Sequence, residues 1–159
     1  MAISPNVDFT AGQVLTATQC NQFPRGVMAL ATSPTNYTLT TSTVIATGMS
    51  VTFTVVAGRN YKITYIEPGA ETSTVAGSST SITIRQTTAA GAQIALGIVQ
   101  TPSAAKNQAS VIASAIYTAV AGSTTIVGCA VTTSTTGTPI LNRNVFQLAS
   151  LLVEDIGLA

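Results

Sequence analysis

The sequence predicts an all-β protein, a jelly-roll-like antiparallel β-sandwich with an extended N-terminal arm. Three observations lead there. Apolar and polar residues alternate with a period of two in one segment after another, the pattern of half-buried strands. Charged residues make up only 7% of the chain against 46% apolar, too much core-forming material for disorder. About a quarter of the residues are Ser or Thr, and many Thr lie inside apolar runs, where β-branched side chains suit a strand.

Residues 1–26 differ from the rest and are read as an attachment arm, with Phe9, Val14, Leu15 and Phe23 as its apolar contacts. Within it, Thr16-Ala17-Thr18-Gln19 matches a capping box, so one short helical turn is expected. Pro24 ends that turn, because proline disfavours the helical region for the residue before it. Residues 27–159 are read as the sandwich domain.

Val27–Ala31 and Tyr37–Thr47 are weaker strand candidates. Val51, Phe53 and Val55 alternate with Thr52 and Thr54; Tyr61, Ile63 and Tyr65 alternate with Lys62 and Thr64. The intervening Ala57-Gly58-Arg59-Asn60 predicts a hairpin, closed by Glu67-Pro68-Gly69. A polar loop at 69–79 leads to a strand carrying Ile82 and Ile84. The run TTAAGA then turns the chain into Gln93–Gln100. A loop at Pro102–Asn107 precedes a long apolar strand, Val111–Val120. Ala121-Gly122-Ser123 turns it into Thr124–Thr132, in a setting similar to the first Ala-Gly turn. A third polar loop, 134–139, precedes the last strand, Leu148–Asp155, after which Gly157 is free to take a positive φ in a turn. The total is roughly eight or nine strands at the spacing of a sandwich, and a jelly roll fits that count best.

The chain has no His, which removes the commonest general base and metal ligand. Lys62 and Lys106 read as solvated rather than catalytic. Glu67 and Glu71 read as turn residues rather than a carboxylate pair. Two distant cysteines, Cys20 and Cys129, offer no zinc spacing and read as buried free thiols. Neither calcium-loop nor phosphate-loop spacing is present. No cofactor and no enzymatic activity are expected. The six basic residues are scattered and the net charge is +1, so no nucleic-acid partner is expected. No apolar run reaches membrane-spanning length and the start lacks signal-peptide character, so neither insertion nor export is expected. A β-rich surface so poor in charge suits burial in an assembly. The expected subunit interface comprises Val111, Ile112 and Ile116 with Glu154 and Asp155.

Three stretches together resemble one family. They are DFTAGQVLTATQCNQFPRGV near the start, VVAGRNYKITYIEP in the middle and SLLVEDIGLA at the end. Their order and spacing are similar to those of minor structural proteins of tailed phages of the actinobacteriophage type. The resemblance implies a non-enzymatic virion component, made in the host cytoplasm: a homotrimeric minor tail protein joined to other virion proteins by its arm, with possible host-surface contact. A capsid decoration or head-fibre protein at threefold sites, or a receptor- or glycan-binding tip, are the alternatives. No collagen-like or coiled-coil shaft is present, which departs from a long fibre. For a binding tip, the loops 69–79, 101–108 and 133–139 are the discriminating segments. On a plain strand Glu154 and Asp155 would point to opposite faces, with Val153 and Asp155 together, and would mark where the strand leaves the core.

Overall fold

The structure is a computed structural model and describes residues 12, 14, 16–20, 23–118 and 120–158. A single helical turn, α1 (Ala17–Cys20), sits where the capping box predicts it, closed by the Cys20 N–H donating to the Thr16 carbonyl. The described residues then form ten strands. They are β1 (Gly26–Ser33), β2 (Tyr37–Thr38), β3 (Ile45–Val55), β4 (Arg59–Glu71), β5 (Ser79–Gln86), β6 (Gln93–Gln100), β7 (Gln108–Tyr117), β8 (Gly122–Thr132), β9 (Ile140–Leu141) and β10 (Ala149–Leu158).

All pairings are antiparallel, and they make two sheets. In the first, β10 lies between β1 and β4, and β7 pairs with the other edge of β4. The short β9 and β2 extend the β10 and β1 columns. The second sheet has the order β3-β8-β5-β6. Leaving the short strands aside, the first strand pairs with the last, the second with the last but one, and so inward to the β5–β6 hairpin. That is one long antiparallel ribbon rolled up on itself, the jelly roll. Its inward rows form a single core that includes Met49, Phe53, Tyr61, Ile63, Ile82, Ile126 and Leu151.

Rolling explains the main departure from the sequence expectation. The two Ala-Gly turns are not hairpin turns. β3 and β4 belong to different sheets, as do β7 and β8. Each turn carries the chain over the core, with Gly58 (φ 73°) and Gly122 (φ 136°) in conformations that favour glycine. The two crossings stack, since β3 pairs with β8 and β4 with β7. The Phe53 and Tyr61 rings meet across the first of them at 5.2 Å between centroids. Alternation reports which side chains are buried and leaves open which strand edge is paired, so an arch and a hairpin look alike in sequence. Glu67-Pro68-Gly69 likewise does not close a strand: β4 continues through it by a bulge between Glu67 and Ala70. β10 runs on to Leu158 rather than stopping at Asp155, and Gly157 (φ 109°) serves a bulge, not a turn.

The sandwich closes where β6 comes against β7. A Cβ on Gly97 would sit 2.5 Å from the Ile112 carbonyl oxygen and 2.8 Å from Val111 Cγ1. Backbone cannot yield as a flexible side chain does, so Gly97→Ala is expected to destabilise the fold by about 1–3 kcal/mol, read as a lower urea midpoint at unchanged slope.

Candidate functional site

The inward row of β4 reads Arg59, Tyr61, Ile63, Tyr65, Glu67, so a charge stands at each end of a buried apolar row. Both charges are paired in fork geometry. At one end, Arg59 Nε donates to Asp155 Oδ2 at 2.5 Å and Nη2 to Oδ1 at 2.7 Å. Asp155 is 1% exposed and also accepts from the Gly157 N–H at 2.9 Å. Burial pushes the Asp155 carboxyl up, but the hydrogen bonds from Arg59 and Gly157 outweigh it and hold it below the ordinary carboxylate value. The hydrogen bond to Asp155 raises Arg59 in turn, against the opposing effect of burial. Arg59 Nη2 further donates to the Phe23 carbonyl at 2.6 Å. The root of the arm is thereby fastened to a buried ion pair of the body.

At the other end of the row, Arg143 Nε donates to Glu67 Oε2 at 3.0 Å and Nη2 to Oε1 at 2.5 Å. The Tyr65 hydroxyl donates to the same carboxylate, and Thr47 Oγ1 lies 2.7 Å from the Tyr65 oxygen. Burial, then the Glu67 charge, raises Tyr65 well above its usual value, so it remains a donor. Arg143 Nη1 reaches the Thr47 carbonyl at 3.2 Å, while its own backbone N–H donates to Asn36 Oδ1 at 2.6 Å. The cluster ties both sheets to the loop between β9 and β10. Glu67 thus accepts three of the roughly four hydrogen bonds that a carboxylate can accept, two from Arg143 and one from Tyr65.

The acids at the end of the chain therefore behave differently from expectation. Glu154 and Asp155 do point to opposite faces. Yet Asp155 stays inside the sandwich and does not mark an exit from the core; its partner is Arg59. Glu67 is a buried ion-pair residue, not a turn residue, and it does not converge with Glu71. Glu71 instead accepts from Lys106 Nζ at 2.8 Å and Asn142 Nδ2 at 2.6 Å. Of the cysteines, Cys129 is buried, with its thiol pushed up by burial, but Cys20 is exposed rather than buried.

Of the arm residues, Val14 and Phe23 are exposed, and Phe9 and Leu15 lie outside the described residues. Of the expected interface residues, Ile112, Ile116 and Glu154 lie on the outer face of the first sheet. Val111 and Asp155 face the interior and are not available to a partner there.

The three polar loops converge at one end. The Thr72 N–H donates to the Asn107 carbonyl, the Thr74 N–H to the Thr136 carbonyl and Lys106 Nζ to the Thr138 carbonyl. Their hydroxyls largely serve their own backbone, as when Thr101 Oγ1 donates to Ser103 and Ala105. A separate tight turn, Asn144–Gln147, is held by paired backbone hydrogen bonds and by Asn144 Oδ1. It presents Val145 and Phe146, the latter 94% exposed.

Among the described residues, no group of three or more Cys, Asp or Glu is placed to hold a metal ion. No helix among them is long and apolar enough to cross a membrane. These features define a class by fold alone, a jelly-roll sandwich with two buried ion pairs inside it. No family model and no curated protein matches the chain.

Proposed function

We propose that this protein is a non-enzymatic structural component of a bacteriophage virion, a homo-oligomeric, trimeric minor tail protein joined to the particle by its N-terminal arm. The observation that carries the reading is the arm root: the Phe23 carbonyl bound to Arg59, itself locked to Asp155. A segment held to a rigid body at one point can transmit load between that body and a neighbouring protein. The resemblance of the three sequence stretches to phage structural proteins supports the same reading. So does a jelly-roll body, an architecture that recurs in viral capsid and lectin domains. The described acids do not leave a convergent pair open to a substrate.

Deletion of residues 1–25 tests it. The shortened chain is expected to keep its far-ultraviolet β signature and fail to enter particles. Incorporation at the wild-type level would contradict the arm's role. The convergence of the three loops favours a second reading, a receptor- or glycan-binding tip at that end. Host adsorption unchanged by shortening residues 133–139 would remove it.

A further inference from the structure

The outer face of the first sheet carries four large, well-exposed apolar side chains. Cross-strand register places its residues in rows. Val27, Glu154, Lys62 and Ile116 form one; Leu30, Leu152, Thr64 and Ser114 the next; Thr32, Ser150, Ile66 and Ile112 the third. Ile112 and Ile116 are each 57% exposed, and Val27 and Leu30 are comparable. Lys62 and Glu154 are the only charges in these rows. They are register partners, yet no ion pair joins them, and neither pairs elsewhere among the described residues. The outer face of the second sheet is different. Its large exposed apolar residues, Leu96 and Ile98, stand on the edge strand β6, and the rows that continue inward from them, Thr83 with Cys129 and Ser81 with Val131, are largely buried.

We infer that the outer face of the first sheet packs against the same face of further copies of this chain, in a cyclic assembly whose axis runs along the strands. Rotation about such an axis keeps each row at its own height. It sets the β4–β7 half of one copy against the β10–β1 half of the next. Lys62 then meets Glu154 of the neighbouring copy, and Ile116 approaches Val27 of that copy, so the charges are complementary without a second kind of partner. Four strands about 4.8 Å apart and about 33 Å long give a flat footprint of roughly 600 Å² before side-chain relief is counted. Divided between two neighbours, that is about 300 Å² per contact, below the ~800 Å² each partner contributes to a standard interface, so the ring is held by the face as a whole rather than by any one pair. The inference rests on the proposed function and deepens it by naming the contact between subunits.

Sedimentation of the full chain at tens of micromolar tests it. Wild type is expected above the 16.1 kDa of one chain. Leu30→Asp with Ile116→Asp is expected to give monomer with an unchanged circular dichroism spectrum, whereas Leu96→Asp with Ile98→Asp leaves the assembly intact. Lys62→Glu and Glu154→Lys are each expected to weaken association at least tenfold. Mixing those two variants recovers association in part, because in a ring of three two contacts join unlike subunits, where opposite charges meet, and one joins like subunits. A wild-type monomer overturns the inference and leaves the particle-incorporation test standing. An assembly that survives the Leu30 and Ile116 changes but is lost with the Leu96 and Ile98 changes overturns the choice of face alone.

Discussion

Glu67→Ala is expected to destabilise the sandwich by about 3–5 kcal/mol, the cost of leaving a buried guanidinium without its partner. Arg143 would keep the Thr47 and Thr35 carbonyls, at 3.2 Å and 3.4 Å, and Tyr65 beside it, but no opposite charge. Tyr65 would lose the acceptor of its buried hydroxyl proton. Urea unfolding measures the loss directly. The double change Glu67→Met with Arg143→Met is expected to cost clearly less than the sum of the two single changes, since it removes both charges together. Additive single effects would mean that the pair is not coupled. The loop between β9 and β10 should be the first element to loosen, because Arg143 is its tie to the core.

The second large effect concerns Asp155. Asp155→Ala is expected to cost about 3–5 kcal/mol for the same reason, and in addition to loosen the arm, because Arg59 loses the orientation that presents Nη2 to Phe23. Trypsin should then cut after the exposed Arg25 faster than in wild type. The pH dependence has a definite sign. Asp155 is held below its unfolded value, so its contribution is fully present above that value, near pH 4. The contribution is lost as the pH falls through the lower folded value. The melting temperature of wild type should therefore drop below about pH 4, and Asp155→Asn, already weakened at neutral pH, should show a shallower drop. Parallel acid profiles for the two proteins would contradict the assignment.

The strands were legible because a two-residue period survives wherever one face is buried. It marked β4, β5 and β10 to within a few residues. The pairing was not legible, because nothing in Ala57-Gly58 says whether the chain folds back in its own sheet or crosses the core. The ion pairs were half legible. Glu67 shares the phase of Tyr61, Ile63 and Tyr65, and Asp155 shares the phase of Leu151 and Val153. An acid in phase with an inward row needs a buried partner, and that signal was present. Which arginine answers it was not, since Arg143 lies in a loop without periodicity. The outer face was similarly obscured. Ile112 and Ile116 read as part of a continuous apolar strand, and only the register with β4 and β10 separates them from the inward Val111 and Ala113.

If the chain is an assembled structural component of a particle, joined to it by its arm, it must be found there in an ordered place. A reconstruction of purified particles from cells expressing the chain tests this most directly. Clustered jelly-roll bodies are expected, with the outer faces of their first sheets turned toward a shared axis. The density preceding Gly26 should run into a neighbouring protein. Purified particles that lack the chain, while it remains soluble in the host lysate, would contradict it.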